Sequence, residues 1–416
     1  KQIENILCLA ALYHDLGKLA EENQKELHKE GIKSGHLPVN HVDAGAAFLK
    51  QKGQEALCSL ILVYAHHQGL PDFTVEENRA EMVCYRDTRE SVRACFDREM
   101  EQLLQIHRQL IPESNVHNPE YCEGDMSMFI RMVFSCLVDA DHSDTATVYG
   151  QYPKRDTMPK LQPELRLEAL NRYVASLGAD SPNRRNELRT QMYEKCRDGQ
   201  QEEGIVSNDG PVGSGKTTAV MAYQLNQAIL KGARRIFVVL PYTNIITQSV
   251  EVYREALKLP GEEPETVVAE LHCKADFEDE DTRCLTSLWR APIIVTTAVA
   301  FFETLASNRP GALRRLHELP GSIIFMDEAH AALPLKLLPL AWHWMKVLEE
   351  EWSCHWILAS GSLVRFWQIP ELVGIEKKQV PEMVPTNLRS ELLGYEKNRI
   401  QFCWNPCPLS RAELID

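Results

Sequence analysis

The sequence predicts a multidomain chain, an all-α domain over residues 1–180 followed by an α/β domain with a parallel sheet over residues 181–416. Three observations carry this reading. Apolar residues recur at helical spacing through the first third of the chain. Beyond residue 180, short apolar runs alternate with helical stretches, the order that builds a parallel sheet with crossover helices. The stretch Gly210-Pro-Val-Gly-Ser-Gly-Lys216-Thr217-Thr218 fits G-x-x-x-x-G-K-[ST], the phosphate-binding P-loop, and lies between a predicted strand and a predicted helix.

In the first domain, Ile3, Ile6, Leu7, Ala10 and Ala11 mark a helix. It leads into Tyr13-His14-Asp15-Leu16-Gly17-Lys18. Adjacent His and Asp at a helix end can place an imidazole and a bridging carboxylate on one metal centre. His41 begins a helical stretch through Ala44, Ala47 and Phe48. His66 and His67 close the apolar run from Leu60 to Ala65, and Asp139, Asp141 and Asp144 follow the run from Met132 to Val138. Each alone is ordinary, since a single histidine is more often a core or surface residue and an acidic cluster is usually a solvated helix end. Together they form a series of metal-ligating side chains, each on or next to a helical apolar stripe.

Prolines and charges from Val148 to Pro163 read as a connector. Leu165, Leu167, Leu170, Tyr173, Val174 and Leu177 give one more helix, and Gly178-Ala-Asp-Ser-Pro182 reads as a break. The domain boundary is therefore expected near residue 180.

In the second domain, residues 204–209 read as the strand before the P-loop and Ala219 onward as the helix after it. Glycines let backbone N–H groups curl around phosphates, and the helix N-terminus adds positive potential. Lys216 would reach the terminal phosphates and Thr217 would hold Mg²⁺. Further strands are expected at residues 235–240, 292–296, 322–327 and 355–359, with functional residues at their C-terminal ends. The third of these ends in Asp327-Glu328-Ala329-His330. Asp327 would contact the Mg²⁺ shell, and Glu328 would orient or activate the attacking water. The nucleotide-binding set is then Gly210, Gly213, Ser214, Gly215, Lys216, Thr217, Thr218, Asp327, Glu328 and His330. Trp342, Trp344, Met345, Leu348 and Trp352 read as core rather than base-stacking platforms.

Composition bounds the partners. Hydrophobic residues make up 44% and charged residues 25%, an ordinary soluble balance. No apolar run is long enough to span a bilayer, and no signal peptide is visible after Lys1. The chain does not begin with Met, so its natural start is expected upstream. Twelve cysteines lie without zinc-type CxxC pairs, Cys403 and Cys407 being the nearest approach. They read as reduced thiols of a cytoplasmic protein. The net charge of −14 leaves a local basic groove for nucleic acid open.

The set His14-Asp15, His41, His66-His67 and Asp141 resembles the HD-type metal-dependent phosphohydrolase fold. Ala65-His-His-Gln-Gly69 and Val138-Asp-Ala-Asp-His-Ser-Asp-Thr145 are similar to the HD nuclease of the CRISPR-associated helicase–nuclease of type I systems. A P-loop followed by Asp-Glu-Ala-His is the superfamily 2 helicase signature, and that family carries an HD nuclease before such a helicase. The resemblance implies two transition metals bridged by Asp15, with His41, His66 and His67 on one and His14 and Asp141 on the other. It places Lys18 near the scissile phosphate. The ligand types suit Mn, Fe, Co, Ni or Zn without choosing among them. The family's further metal-ligand histidine, upstream of its HD pair, has no counterpart before His14.

Leu240-Pro-Tyr-Thr-Asn-Ile-Ile-Thr-Gln248 and Thr296-Thr297 resemble the family's DNA-contacting loops, and loop or capping chemistry explains them equally well. Ser360-Gly361-Ser362 stands where helicases usually carry Ser-Ala-Thr. Arg365, Arg389, Arg399 and Arg411 follow, but no Q-x-x-G-R-x-x-R, and Asp416 falls about where a second RecA-like domain is expected to begin. The resemblance thus covers an HD domain and the first RecA-like domain. It implies metal-dependent cleavage of single-stranded DNA coupled to ATP-dependent translocation in CRISPR interference. The implied partners are the displaced strand of an R-loop and the RNA-guided surveillance complex, with no membrane. Two alternatives stay open: an HD nucleotide phosphohydrolase regulated by a P-loop domain, and a nucleotide-dependent, non-catalytic binding module.

Overall fold

The computed structural model describes residues 2–29, 37–111, 124–148, 159–178, 183–271, 287–331, 333–374 and 378–398. Cys403, Cys407, Arg399, Arg411, connector residues 149–158 and the break at 179–182 lie outside the described residues. The chain forms two compact units. The first holds Lys1–Met158, Asp276–Arg290 and Ala300–Pro320, and the second holds Pro159–Ala275, Ala291–Val299 and Gly321–Asp416. The division falls earlier than the break expected near residue 180. The reason is the helix Pro163–Gly178, which packs on Lys216–Lys231 and Thr243–Leu257 of the second unit. Arg166 anchors it there, fully buried, with Nε 2.7 Å from Leu161 O, Nη1 2.7 Å from Leu257 O and Nη2 2.9 Å from Glu262.

The described residues of the first unit are helical. Gln2–Tyr13, Val42–Gln51, Leu57–Ala65, Glu90–Leu110 and Met126–Val148 are its main helices. Val42–Gln51 is central: small residues Ala44, Gly45, Ala46 and Ala47 are all buried and let neighbours approach on several sides. A Cβ on Gly45 would lie 2.0 Å from Tyr13 O, so only glycine permits the crossing with the first helix. Leu16, Ala20, Ala44, Ala47, Phe96, Met100 and Leu103 form one apolar cluster. The acidic residues Asp139, Asp141 and Asp144, which follow the apolar run Met132–Val138, lie within the helix Met126–Val148. Asp139 and Asp141 are therefore about 200° apart around it, on opposite faces.

The second unit holds a six-stranded, wholly parallel sheet: β1 (Ile205–Asp209), β2 (Ile236–Leu240), β3 (Val268–Leu271), β4 (Ile293–Thr297), β5 (Ile323–Asp327) and β6 (His355–Ser360). Their order is β1-β6-β5-β2-β4-β3. In register, Asp327 lies opposite Ala359, and Asp209 opposite Ser360. β2, β4 and β6 are buried along their whole lengths, as a sheet covered on both faces requires. The five expected strands are present, and the short edge strand β3 is additional. Trp342, Met345 and Leu348 of the helix Leu338–Trp352 are buried, and Trp342 packs against Phe366 and Trp367; Trp344 and Trp352 are half-buried. Because every strand runs the same way, the segments after β1, β2, β4, β5 and β6 emerge along one edge of the sheet.

Candidate functional site

Two sites emerge, one in each unit. In the first, four separate segments bring together every histidine and carboxylate singled out as a metal ligand. Facing ligand atoms of His41, His66 and His67 lie within 4.8 Å of one another, and so do those of His14, Asp15 and Asp141. His14 and Asp15 sit at the end of the first helix, and His41 caps the start of Val42–Gln51. His66 caps the end of Leu57–Ala65, and Asp141 projects from Met126–Val148. Asp15 lies between the groups, its Oδ1 3.5 Å from His41 Nε2 and its Oδ2 3.4 Å from His14 Nε2. Lys18 Nζ is 2.7 Å from Asp15 Oδ2.

Local folding sets the direction of each ring. His14 Nδ1 is 2.8 Å from Ala11 O, and His66 Nδ1 is 2.6 Å from Val63 O. A carbonyl can only accept, so each Nδ1 carries the proton. The neutral His66 ring then presents its Nε2 lone pair to the cluster, while at His14 burial is outweighed by Asp141 and Asp15, which raise the pKa. His66 Nε2 and Asp15 Oδ1 are buried with no hydrogen-bond partner. His41 Nε2 and His67 Nε2 face each other at 3.0 Å. Buried, unpartnered acceptors converging in this way are the donor set a cation satisfies.

The charges agree. Burial pushes the His41 pKa down to about 4 against the pull of Asp15, and burial with the neighbouring His67 pushes His66 down to about 3. Burial also lowers His67. These three imidazoles are neutral at pH 7, the ligating form. Burial opposes ionisation of Asp15, but His14, Lys18 and His41 outweigh it and hold the carboxyl below its usual range. Asp141 is held low in the same way, with His14 outweighing burial. Three neutral imidazoles, a fourth between two carboxylates, and two anionic carboxylates fit one or two divalent transition ions.

The second site lies where β1, β5 and β6 end. After β1 the chain turns through Gly213 (φ 87°) and Gly215 (φ 84°) into the helix Lys216–Lys231. Gly210 and Ser214 are buried, and Ser214 Oγ has no hydrogen-bond partner. Thr217 is exposed, and Thr218 Oγ1 donates to Gly215 O at 3.2 Å. Burial lowers the pKa of Lys216 against the attraction of Asp327, Glu328 and Asp209. Burial raises that of Asp327. A cation and carboxylates desolvated together are suited to a charged ligand that completes their pairing.

Glu328 takes φ 49°, the left-handed region that a non-glycine residue rarely adopts. What holds it is Ser360-Gly361-Ser362 after β6. Ser360 Oγ donates to Glu328 Oε2 at 2.6 Å, and Gly361 N donates to Oε1 at 3.3 Å. The glycine in place of the usual alanine has a local reason: a Cβ at Gly361 would lie 2.9 Å from Val212 Cγ2 of the P-loop. His330 Nε2 is 3.8 Å from Glu328 Oε2, and its Nδ1 is buried without a partner. Thr296 Oγ1 donates to Leu271 O at 2.9 Å, so that hydroxyl serves the sheet edge.

Sequence reasoning missed Arg185 and Arg189 on the helix Arg184–Arg197. Arg189 Nε donates to Gly213 O at 2.8 Å, and Arg185 pairs with Glu396 at 2.9 Å while its Nη2 reaches Gly213 O at 3.5 Å. It also missed Glu382, which accepts from Asp209 N at 3.1 Å and lies 3.6 Å from Arg365. Neither carries a motif; only the fold brings them to the P-loop.

Residues 191–355 match the DEAD/DEAH box helicase family. No curated protein sequence matches the chain. Among solved structures, Cas3 from T. fusca with AMPPNP is 17% identical with a TM-score of 0.55, over 87% of this chain and 45% of that one. T. fusca Cas3 with ATP is 18% identical with a TM-score of 0.54, over 86% of this chain and 43% of that one. The chain thus spans less than half the length of the solved chains it matches. The matched stretch carries the P-loop and Asp327-Glu328-Ala329-His330 on a RecA-like parallel sheet and is similar to DEAD/DEAH box helicases, and the chain shares its fold with Cas3.

Proposed function

We propose that the chain is the HD nuclease and first motor region of a CRISPR-associated nuclease–helicase. The first unit cuts single-stranded DNA, and the second unit, which carries the P-loop, binds ATP with Mg²⁺ and contributes to translocation. Its partners are the displaced strand of an R-loop and the RNA-guided surveillance complex that exposes it. The observation that carries the nuclease half is the convergence of His14, Asp15, His41, His66, His67 and Asp141, with unpartnered buried acceptors at Asp15 and His66. His41, His66 and His67 would hold one transition ion and His14 and Asp141 would help hold another, with Asp15 within reach of both groups. Such ions would supply an activated water and neutralise charge on the phosphodiester. Lys18, 2.7 Å from Asp15, adds positive charge where the scissile phosphate arrives.

In the motor half, Lys216 would meet the terminal phosphates, Thr217 and Asp327 would hold Mg²⁺, and Glu328 would orient the attacking water. The contact of Ser360 and Gly361 with Glu328 supports a link between nucleotide state and the segment after β6.

The test is Asp15→Ala in the full chain. Metal content by elemental analysis and cleavage of single-stranded circular DNA should both be lost, with nucleotide binding retained. Undiminished metal and cleavage in that variant would sink the assignment.

A further inference from the structure

We propose that the cavity beside His67 is a pocket for one nucleobase of the strand being cut. This rests on the nuclease reading above and names a substrate subsite within it. The cavity encloses about 240 Å³ and lies wholly in the first unit. His67 belongs to it and to the histidine cluster at once, so a ligand in the cavity adjoins the candidate metal centre.

Its size and lining select the ligand. The volume is below the roughly 300–1,000 Å³ of pockets for drug-sized molecules, so it admits one small group rather than a whole nucleotide chain. Its charges are already matched. Arg86 Nε and Nη2 grip Asp43 at 2.9 and 2.8 Å, and Arg89 Nε and Nη2 grip Asp87 at 3.0 and 2.8 Å. Two guanidiniums held by two carboxylates leave no net charge to draw a phosphate, and the carboxylates would repel one. What remains is polar and neutral: the Oε1 of Gln68, whose Nε2 donates to Tyr64 O at 2.9 Å, the second amide hydrogen of Asn40, whose Nδ2 also donates to Asp87 Oδ2 at 2.8 Å, and the hydroxyl of Thr88. Such groups pair with the edges of a heterocycle. A single strand offers unstacked bases for that kind of contact. The division of labour is then by side: Lys18 and the ligand cluster take the phosphate, and the cavity across His67 takes the base one sugar away.

The experiment uses the full chain. Thr88 is exposed, so Thr88→Trp fills the cavity without disturbing the core. The KM for single-stranded oligodeoxynucleotides should rise about tenfold, the worth of one base contact, with kcat and metal content unchanged. An oligonucleotide with one abasic residue should be cut poorly at the bond beside it by the unaltered chain. In metal-free protein, deoxynucleoside 5′-monophosphates should shift the His67 imidazole NMR signals, and Thr88→Trp should abolish the shift. Unchanged KM in Thr88→Trp together with equal cutting at the abasic residue would overturn the pocket. The binding arm needs no cleavage: monophosphates that bind a chain unable to cut DNA would uphold the pocket and refute the nuclease reading alone.

Discussion

Gly17 shows how much of a candidate metal cluster depends on a residue with no ligand atom of its own. A Cβ there would lie 2.2 Å from His41 O and 2.6 Å from its Cα. Those are backbone atoms, so they cannot swing aside as a side-chain tip could. Asn23, fully buried, holds the same approach from behind. Its Nδ2 donates to Gly17 O at 2.8 Å and to Val39 O at 3.0 Å, and its Oδ1 accepts from Val39 N at 3.0 Å. The turn after Asp15 and the segment before His41 are thereby fixed together. Gly17→Ala should cost about 1–3 kcal/mol of stability by overpacking and push His41 out of the cluster. Denaturant unfolding and metal titration check this together: a variant with unchanged midpoint and unchanged metal affinity would contradict it. The candidate ligands were legible in sequence because adjacent His and Asp on helical stripes have a chemistry that stands out. Gly17 and Asn23 were not, since their partners 6 to 24 residues away become neighbours only in the fold.

The helix Met126–Val148 carries a ligand on one face and a buried ion cluster on the other. Asp141 faces His14. Asp139, on the opposite side, is bound by Arg290 Nη2 at 2.5 Å and by Arg314 Nε and Nη2 at 3.0 and 2.9 Å. His317 N donates to Ser135 Oγ one turn earlier at 2.9 Å. Asp139→Ala removes the carboxylate that two guanidiniums share and should cost about 3–5 kcal/mol, the usual result of breaking a buried pair from one side. Asp139→Asn keeps the shape and should lose less. Thermal melts of the two variants decide the order; equal, small shifts would show that the cluster is incidental. Elements differed in legibility for similar reasons. β2, β4, β5 and β6 are built on apolar runs and β1 leads into the P-loop, so all five could be placed from sequence within a residue or so. β3, Val-Ala-Glu-Leu, is too short and too polar to stand out, and pairs only because β4 lies beside it. The acidic residues after Val138 could be placed next to a helical stripe from sequence, but not the pairing of Asp139 with Arg290 and Arg314, which lie far along the chain.

At the scale of the whole molecule, the two candidate sites share no residue and no element. One is built from helices of the first unit, with neutral imidazoles and carboxylates turned toward a common centre. The other follows the strand ends of the second unit, with a desolvated lysine among carboxylates. Their chemistry should separate by mutation. Lys216→Ala removes a charge-assisted phosphate contact worth about 1.5–3 kcal/mol, so nucleotide affinity should fall about 10- to 100-fold. Cleavage of DNA that is already single-stranded should persist in that variant, because the histidine cluster draws nothing from the P-loop. Asp15→Ala should show the mirror image, with nucleotide bound normally and no cutting. Equilibrium nucleotide binding and single-strand cleavage, measured side by side on both variants with melting curves as the control for folding, give the answer. Loss of both activities in Lys216→Ala with a normal melt would mean that the nuclease centre needs a nucleotide-dependent state of the second unit. The contact of Ser360 and Gly361 with Glu328 would then be the first place to look for the switch, because it ties the Glu328 carboxylate to the end of the last strand of the sheet.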